Sequence, residues 1–482
     1  MKLTFLIPPA LDGKQPAERT AGCTRVVYVA PNIYELTVMA LLEESGYKND
    51  LHYRDFIYAN EGKESFEKFL SEDKSDVYYI WAVNLSLDND ALAIELIRKY
   101  NPKAKVVFIG PGPTYFTSKC IKGENDYVVR GEPDLTVLEL TNALRDGSDL
   151  AEIKGISYFK DGKIVNNPPR ALMRELDLLP LPARHFIADK RYHNPKLKIG
   201  PYTTAVTSRN CPYRCIYCVP SSLTFAREIE YKKENGTKPP ISFKSTARIA
   251  EEMKTIAAAG YKAVGFMDDN FIWNKQRTRE ICTIMQEYGL LWGCQARVDA
   301  ITDEIAKMLG ESGCKYVDLG VESFDDEILK YVKKGITSEQ IFSAIKSLKK
   351  YKVPVKLNIL IGCSPLETKE TIKRTLATVK KLNVDQVMFN IVSPFPGTEY
   401  YKLCKENGWI GTDNGEYVPT DVQRESILNF PHLTSKEMER LLYKNNLSYF
   451  LSPKFIWKQM KRFSSWEEFT YALKALKIKL FG

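Results

Sequence analysis

The sequence predicts an α/β protein made of two successive strand–helix series followed by a helical C-terminal region. Three observations carry this expectation. Short apolar runs alternate with amphipathic stretches through the first 150 residues, and a second alternation with six candidate strands runs from about 200 to 425. At 482 residues the chain exceeds one ordinary core, given roughly 150 residues per domain. Its 44% hydrophobic and 27% charged residues describe a globular chain, not a disordered one.

In the first series, 2–8 (KLTFLIP), 76–83 (DVYYIWAV), 105–110 (KVVFIG) and 126–131 (DYVVRG) have strand length and strand composition. Residues 33–47 and 87–100 carry helical spacing, and a further helix covers LTVLELTNALRDG. Such alternation implies a parallel sheet flanked by helices, with ligand-binding loops at one edge. Residues 151–195 read as a connector: a hairpin turning at Asp161-Gly162, then the proline-punctuated LDLLPLPARHF. The second series, 196–425, places strands at 202–208, 263–269, 291–298, 315–323, 355–362 and 385–394. Six βα units fit a partial (βα)6 TIM-like barrel, whose chemistry sits at the C-terminal strand ends. Residues 426–482 read as a basic, aromatic helical region.

The formal net charge is +9, and 440–482 holds nine Lys/Arg against two Glu. The excess is therefore concentrated in the tail, which excludes a nucleic-acid binder with a basic face throughout. No apolar run approaches the roughly 18 residues of a membrane span. The opening MKLTFLIPPALDGK lacks the pattern of a secretory leader, so a cytoplasmic protein is expected. Ten cysteines in so long a chain do not form a disulfide scaffold; they act as buried thiols, metal ligands or catalytic groups.

Three of them, Cys211, Cys215 and Cys218, follow the first strand of the second series in a C-x3-C-x2-C spacing. Thiolates this close suit an iron–sulfur cluster. A four-iron cluster held by three cysteines leaves one iron open to a substrate. Zinc is the competing metal, but a structural zinc site closes four ligands, usually as two pairs. No second C-x2-C pair exists, and the nearest histidine in sequence is His193.

This motif, in a loop after the first strand of a βα barrel, resembles the signature of the radical SAM enzymes. The resemblance implies one [4Fe-4S] cluster whose open iron chelates S-adenosylmethionine. Reductive cleavage would then give a 5′-deoxyadenosyl radical that abstracts hydrogen from an unactivated position. Further matches stand at the strand ends. Asp268 and Asp269, in Met267-Asp268-Asp269-Asn270-Phe271, occupy the place where the family binds the methionine amino group, although its Gly-Gly-Glu is absent. Arg297 suits the methionyl carboxylate through its bidentate fork. Glu322 and Ser323 resemble the fourth-strand motif near the ribose, Gly362 and Pro394 fall at the fifth and sixth strand ends, and Tyr217 stands where the family has an aromatic near adenine. Helix capping by the two aspartates, and ion pairs of Arg297 and Glu322 with other protein charges, are the competing readings.

A Rossmann-like domain ahead of such a barrel is similar to the cobalamin-binding class. The loops Asn84-Leu85-Ser86, Gly110-Pro111-Gly112-Pro113-Thr114 and Arg130-Gly131-Glu132 resemble that class's loops around the corrin ring, where small residues admit a flat macrocycle. The Asp-x-His-x-x-Gly that ligates cobalt in many cobalamin proteins is missing, and His52 does not match it. Bound cobalamin would therefore lack a protein histidine. The remaining histidines, His185, His193 and His432, carry no motif and name no general acid or base. The seven other cysteines are isolated, which weighs against the methylthiotransferases, a group that resembles this layout but needs three more N-terminal cysteines. Cys23, in the long loop 10–30, receives no role.

The tail combines Lys and Arg with Tyr443, Tyr449, Phe450, Phe455, Trp457, Phe463, Trp466 and Phe469. That pattern favours a helical cap packed on the barrel over a helix lying on anionic membrane. The resemblance as a whole implies methylation of an unactivated carbon of a small molecule, with lipids and isoprenoids among the acceptors, and ferredoxin or flavodoxin as electron donor. Ring formation, ring contraction or carbon–carbon bond formation without methyl transfer is the close alternative. An iron–sulfur or cobalamin electron carrier is a different class, against which the three-cysteine motif counts, because carriers close all four iron positions.

Overall fold

In the computed structural model, which describes residues 1–26, 28–197, 199–460 and 470, the first strand series forms one sheet. Its strands are β1 (Leu3–Ile7), β2 (Leu51–Asp55), β3 (Val77–Trp81), β4 (Lys105–Ile109), β5 (Asp126–Val129), β6 (Ile156–Lys160) and β7 (Lys163–Asn166), in the order β2-β1-β3-β4-β5-β6-β7. β1 to β5 are parallel, and β6 and β7 add antiparallel pairs at one edge. β1 and β3 are buried at every position, which explains their unbroken apolar sequence. Leu6, Tyr78, Ile80, Phe108 and Val128 form the core with Phe56, Phe66 and Ile97.

The predicted hairpin is present, with Asp161 and Gly162 both at positive φ as its tight turn demands. It is no free connector, because β6 pairs with β5. β2, the edge strand LHYRD, and the helix Lys63–Glu72 were not named among the expected elements.

The chain divides into two compact units whose limits differ from the stretches read off the sequence. The first comprises Met1–Pro212, Val219–Gln295 and Glu311–Lys315; the second comprises Tyr213–Cys218, Ala296–Gly310 and the described residues from Tyr316 onward. The first unit also contains β8 (Tyr202–Ala205), β9 (Ser208–Arg209), β10 (Ser242–Phe243), β11 (Ala263–Phe266) and most of β12 (Leu291–Ala296). β11 lies between β8 and β12 as parallel neighbours, and β9 pairs antiparallel with β10.

In the second unit, most of β13 (Cys314–Glu322) is parallel to β14 (Val355–Ile361), which is parallel to β15 (Gln386–Ile391). β14 alternates buried and half-buried positions; Ile359 and Ile361 line a small cavity together with Ile372 and Leu376 of the helix Lys369–Leu382. Thr337, Thr368 and Thr434 each close a capping box at the start of a helix in this unit. The helix Ser435–Phe450 packs Tyr449 and Phe450 on Phe389 of β15, as a helical cap would. Leu451, Ile456 and Trp457 beyond it are exposed. Phe463, Trp466 and Phe469 lie outside the described residues. Among the described residues no helix is long and apolar enough to cross a membrane.

Candidate functional site

Asn210, at φ 80°, turns the chain from β9 into the cysteine loop; asparagine tolerates this left-handed conformation better than most residues. The loop ends at the helix Ser222–Asn235. Both of its ends are held by one carboxylate. Asp269 accepts from Asn210 N (3.0 Å), Ser221 N (2.7 Å) and Thr224 Oγ1 (2.6 Å). Asp268 does the same one step earlier, accepting from Thr207 N (2.9 Å), Thr207 Oγ1 (2.5 Å) and Ser208 Oγ (2.6 Å). Loss of water pushes the Asp269 carboxyl up, against the pull of its Thr224 and Ser221 donors. The two aspartates therefore clamp the chain's own loop. The neighbouring Asn270 is 1% exposed, and neither atom of its amide has a hydrogen-bond partner.

The helix Ser222–Asn235 is bolted to the N-terminal loops. Ser222 N donates to the Thr20 carbonyl (2.8 Å), and Ser222 Oγ accepts from Trp81 Nε1 (3.1 Å). Glu230 pairs with Arg130 (3.2 Å), while Glu132 takes both Arg209 and Arg227. These groups are nearly all buried. Of the residues proposed to line a macrocycle, Arg130 and Glu132 are thus engaged in ion pairs. Ser86 and Thr114 are engaged in loop hydrogen bonds: Ser86 Oγ donates to Asp90 (2.7 Å), and Thr114 Oγ1 donates to the Gly110 carbonyl (2.7 Å). A Cβ on Gly110 would stand 2.5 Å from the Ala82 carbonyl oxygen, so this glycine, at φ 107°, serves close backbone packing. A Cβ on Gly112 or Gly131 would likewise crowd Val83 or Glu230, and Pro111 and Pro113 are buried in the same turn. Asn84 differs: it is 3% exposed with both amide atoms unpartnered.

At the ends of β1 and β2 a small cleft is lined by Ile7, Arg19, Tyr28, Asn32 and Asp55. Arg19 donates to the Trp81 carbonyl (2.6 Å) and pairs with Asp90 (2.8 Å). Burial pushes the adjacent Glu35 up to about 8, against the pull of the Arg19 guanidinium. Asp55 is lifted for the same reason.

In the second unit, Ile216 N donates to the Val332 carbonyl (3.2 Å), and its carbonyl accepts from Tyr400 N (2.9 Å). Arg297 lies over the ring of Tyr213, 3.4 Å from its centroid. The guanidinium meets Asp299 through Nε (3.0 Å) and Nη2 (2.9 Å), and the Lys334 carbonyl through Nη2 (2.7 Å). Its Nη1 stands 3.9 Å from Cys215 Sγ. Glu322, at φ 65° in a bulge of β13, pairs with buried Lys334 (2.7 Å). A Cβ on Gly320 would sit 2.8 Å from that ammonium. Tyr217 is buried, its phenol is pushed well up by burial and the charge of Glu322, and its hydroxyl has no hydrogen-bond partner.

Ser323 Oγ lies 3.3 Å from Thr375 Oγ1. Gly362, at φ 80°, donates to Glu367 (2.9 Å) and accepts from the Tyr400 hydroxyl. Pro394 is buried beside Ser393, whose hydroxyl is buried without a partner. Asn270, Ser393, Lys334, Arg209 and Arg227 were given no role from sequence, and Glu132 was expected at a corrin ring and not in an ion pair with two arginines. Only the position of Asn270 and Ser393 at strand ends signalled them. His432 bonds the Glu367 carbonyl (2.8 Å) and His185 pairs with Glu43 (3.0 Å).

The donor set fits an inorganic cluster: Cys211, Cys215 and Cys218 are half-buried thiols in one loop, and none is in a disulfide. Among the described residues no three acidic, histidine or cysteine side chains converge as ligands of a single ion. The partnerless amides of Asn270 and Asn84 and the hydroxyls of Tyr217 and Ser393 fit organic cofactors with polar edges, because buried polar groups are normally paired. Fold and loop together describe an α/β protein that carries three thiols in one loop, the donor set of a cluster site.

Comparison with known proteins places it further. The Radical SAM superfamily matches residues 205–379. An uncharacterized methyltransferase of Pyrococcus horikoshii is 30% identical over 470 residues, covering 95% of each chain. A cytidylyl-2-hydroxyethylphosphonate methyltransferase of Streptomyces wedmorensis is 23% identical over 453 residues, covering 86% of this chain and 82% of that one. The solved structure of the cobalamin-dependent S-adenosylmethionine radical enzyme OxsB superposes with a TM-score of 0.70 at 15% identity, covering 100% of this chain and 71% of that one. The chain belongs to the radical SAM superfamily, and its fold is that of a solved cobalamin-dependent enzyme.

Proposed function

We propose that this protein is a cobalamin-dependent radical SAM methyltransferase acting on an unactivated carbon. The observation that carries the reading is the three-thiol loop clamped at both ends by Asp269. The end-to-end likeness to a methyltransferase supports methyl transfer over the alternative ring-forming, ring-contracting or carbon–carbon bond-forming chemistry. When bound, the cluster with S-adenosylmethionine supplies a carbon-centred radical and cobalamin supplies the methyl group.

The chain's own residues bind and orient. Cys211, Cys215 and Cys218 hold the cluster. Tyr217, Glu322, Ser323, Gly362 and Pro394 border S-adenosylmethionine with Arg297, while Asp268 and Asp269 act on it through the loop they fix. Asn270 offers a free amide beyond the end of β11. Asn84 offers one to the corrinoid, with Ser86, Gly110, Pro111, Gly112, Pro113, Thr114, Arg130, Gly131 and Glu132 shaping the loops around it.

A lipid or isoprenoid acceptor is supported by the exposed Leu451, Ile456 and Trp457 at the described C-terminal end. This suits peripheral membrane contact through 440–482 of a cytoplasmic protein that receives electrons from a ferredoxin or flavodoxin.

The test is anaerobic reconstitution with iron, sulfide and cobalamin, followed by product analysis with lipid and polar extracts. A product heavier by one methylene unit is expected. Formation of 5′-deoxyadenosine with a product of unchanged or lower mass selects the rearranging alternative, and no cleavage of S-adenosylmethionine overturns both.

A further inference from the structure

Arg297 was expected to offer a free fork to a ligand carboxylate, but most of that fork is occupied. The Nε–Nη2 edge is spent on Asp299, at 3.0 and 2.9 Å, and Nη2 also meets the Lys334 carbonyl at 2.7 Å. Tyr213 closes one face of the guanidinium at 3.4 Å. Three neighbours therefore fix the plane of a cation that is 6% exposed. The opposite edge remains, and there Nη1 stands 3.9 Å from the sulfur of Cys215. Tyr213 belongs to the same loop as that sulfur, so the arginine grips the cysteine segment at two points.

We propose that Arg297 is a positioning residue for the cluster, one that holds Cys215 and raises the reduction potential by directing an N–H at its sulfur. The proposal rests on the cofactor reading above. The physical reason is differential stabilisation. A reduced cluster carries one more negative charge than an oxidised one, spread over its sulfurs. Hydrogen bonds to those sulfurs are among the factors that set cluster potentials. A charged donor makes the stronger kind of hydrogen bond, and low exposure limits screening by water. Lysine cannot replace it, because a point charge does not hold a carboxylate, a carbonyl and a sulfur in one plane.

The test uses the full chain, reconstituted anaerobically with iron and sulfide and measured without S-adenosylmethionine, which separates the sulfur contact from any ligand contact. Wild type, Arg297→Lys and Arg297→Met are compared for iron and sulfide content and for midpoint potential by redox titration. Equal loading with a more negative midpoint in both variants, further negative for methionine, is expected. Equal loading with an unchanged midpoint overturns the proposal.

Because a variant can fail to load, the wild-type chain is also grown with ¹⁵N-arginine, reduced, and examined by pulsed electron paramagnetic resonance. A nitrogen coupling to the reduced cluster is expected; its absence in a loaded chain overturns the proposal. A wild-type chain that takes up no cluster at all removes the cofactor reading itself, a result distinct from a loaded cluster that does not sense Arg297.

Discussion

Two pairs of acids meet different fates in this molecule. At the end of β11, Asp268 and Asp269 accept six hydrogen bonds from neutral backbone and hydroxyl donors. By contrast, Glu35, in the first turn of the helix Ile33–Leu42, and Asp55, at the end of β2, lie near Arg19, which is already paired with Asp90. The first pair is saturated and serves as mechanical fasteners. Asp55 borders a cleft, and Glu35, whose two carboxyl oxygens have no hydrogen-bond partner, keeps its proton readily. Position at a strand end is therefore not enough to mark a ligand contact; what matters is whether the chain's own donors have already been spent on the group.

The loop that the first pair fastens is tested most severely at its centre. Cys215→Ser is expected to abolish cluster binding and S-adenosylmethionine cleavage, read as loss of the iron–sulfur absorbance after reconstitution. Next comes the fastener itself. Asp269→Asn replaces a three-bond acceptor with a group that brings its own donors against Ser221 and Thr224. A loss of about 2–3 kcal/mol in urea unfolding, with faster iron loss to a chelator, is expected. Unchanged stability would show that the hydrogen bonds at Asn210 and Ser221 do not hold the loop.

The cleft acids act in the opposite sense and more weakly. Folding raises Glu35 from 4.5 to about 8, so the folded state keeps a proton that the unfolded chain releases. Stability is then fullest below 4.5 and falls as pH rises through about 8. Glu35→Gln should flatten that slope and stabilise the protein at the alkaline end by about 1–3 kcal/mol, measured as urea midpoints across the range. The smallest effect on stability is expected for Asn84→Ala and Asn270→Ala, within about 1 kcal/mol of wild type and on the stabilising side, because each removes a buried group that makes no hydrogen bond. Their cost should appear instead as weaker retention of cobalamin by the first variant and of S-adenosylmethionine by the second, each measured by equilibrium dialysis.

Much of the fold could be read in advance where burial on both faces writes an unbroken apolar run, as in β1, β3 and β4. β2 escaped because LHYRD, an edge strand, needs no such run. The hairpin β6–β7 was visible, but its pairing with β5 was not, since that depends on residues some thirty positions away. The cysteine loop was legible because metal ligation constrains spacing along the chain. The roles of Asp268 and Asp269 were not, because their donors, Thr207 to Thr224, lie 45 to 61 residues distant. Arg297 shows the same limit: nothing near it in sequence announces that Tyr213 and Cys215 will occupy its face and edge.

The bolts between the helix Ser222–Asn235 and the N-terminal loops have a consequence for how such a chain can be cut. Cleavage near 195 would strand Arg209 and Arg227 without Glu132, leaving cations stripped of their counterions in a dry interior. The segment that flanks the third cysteine would lose its footing together with the sheet. The amino-terminal portion is thus no detachable accessory, and shuffling it between homologues should succeed only when the donor's helix travels with it.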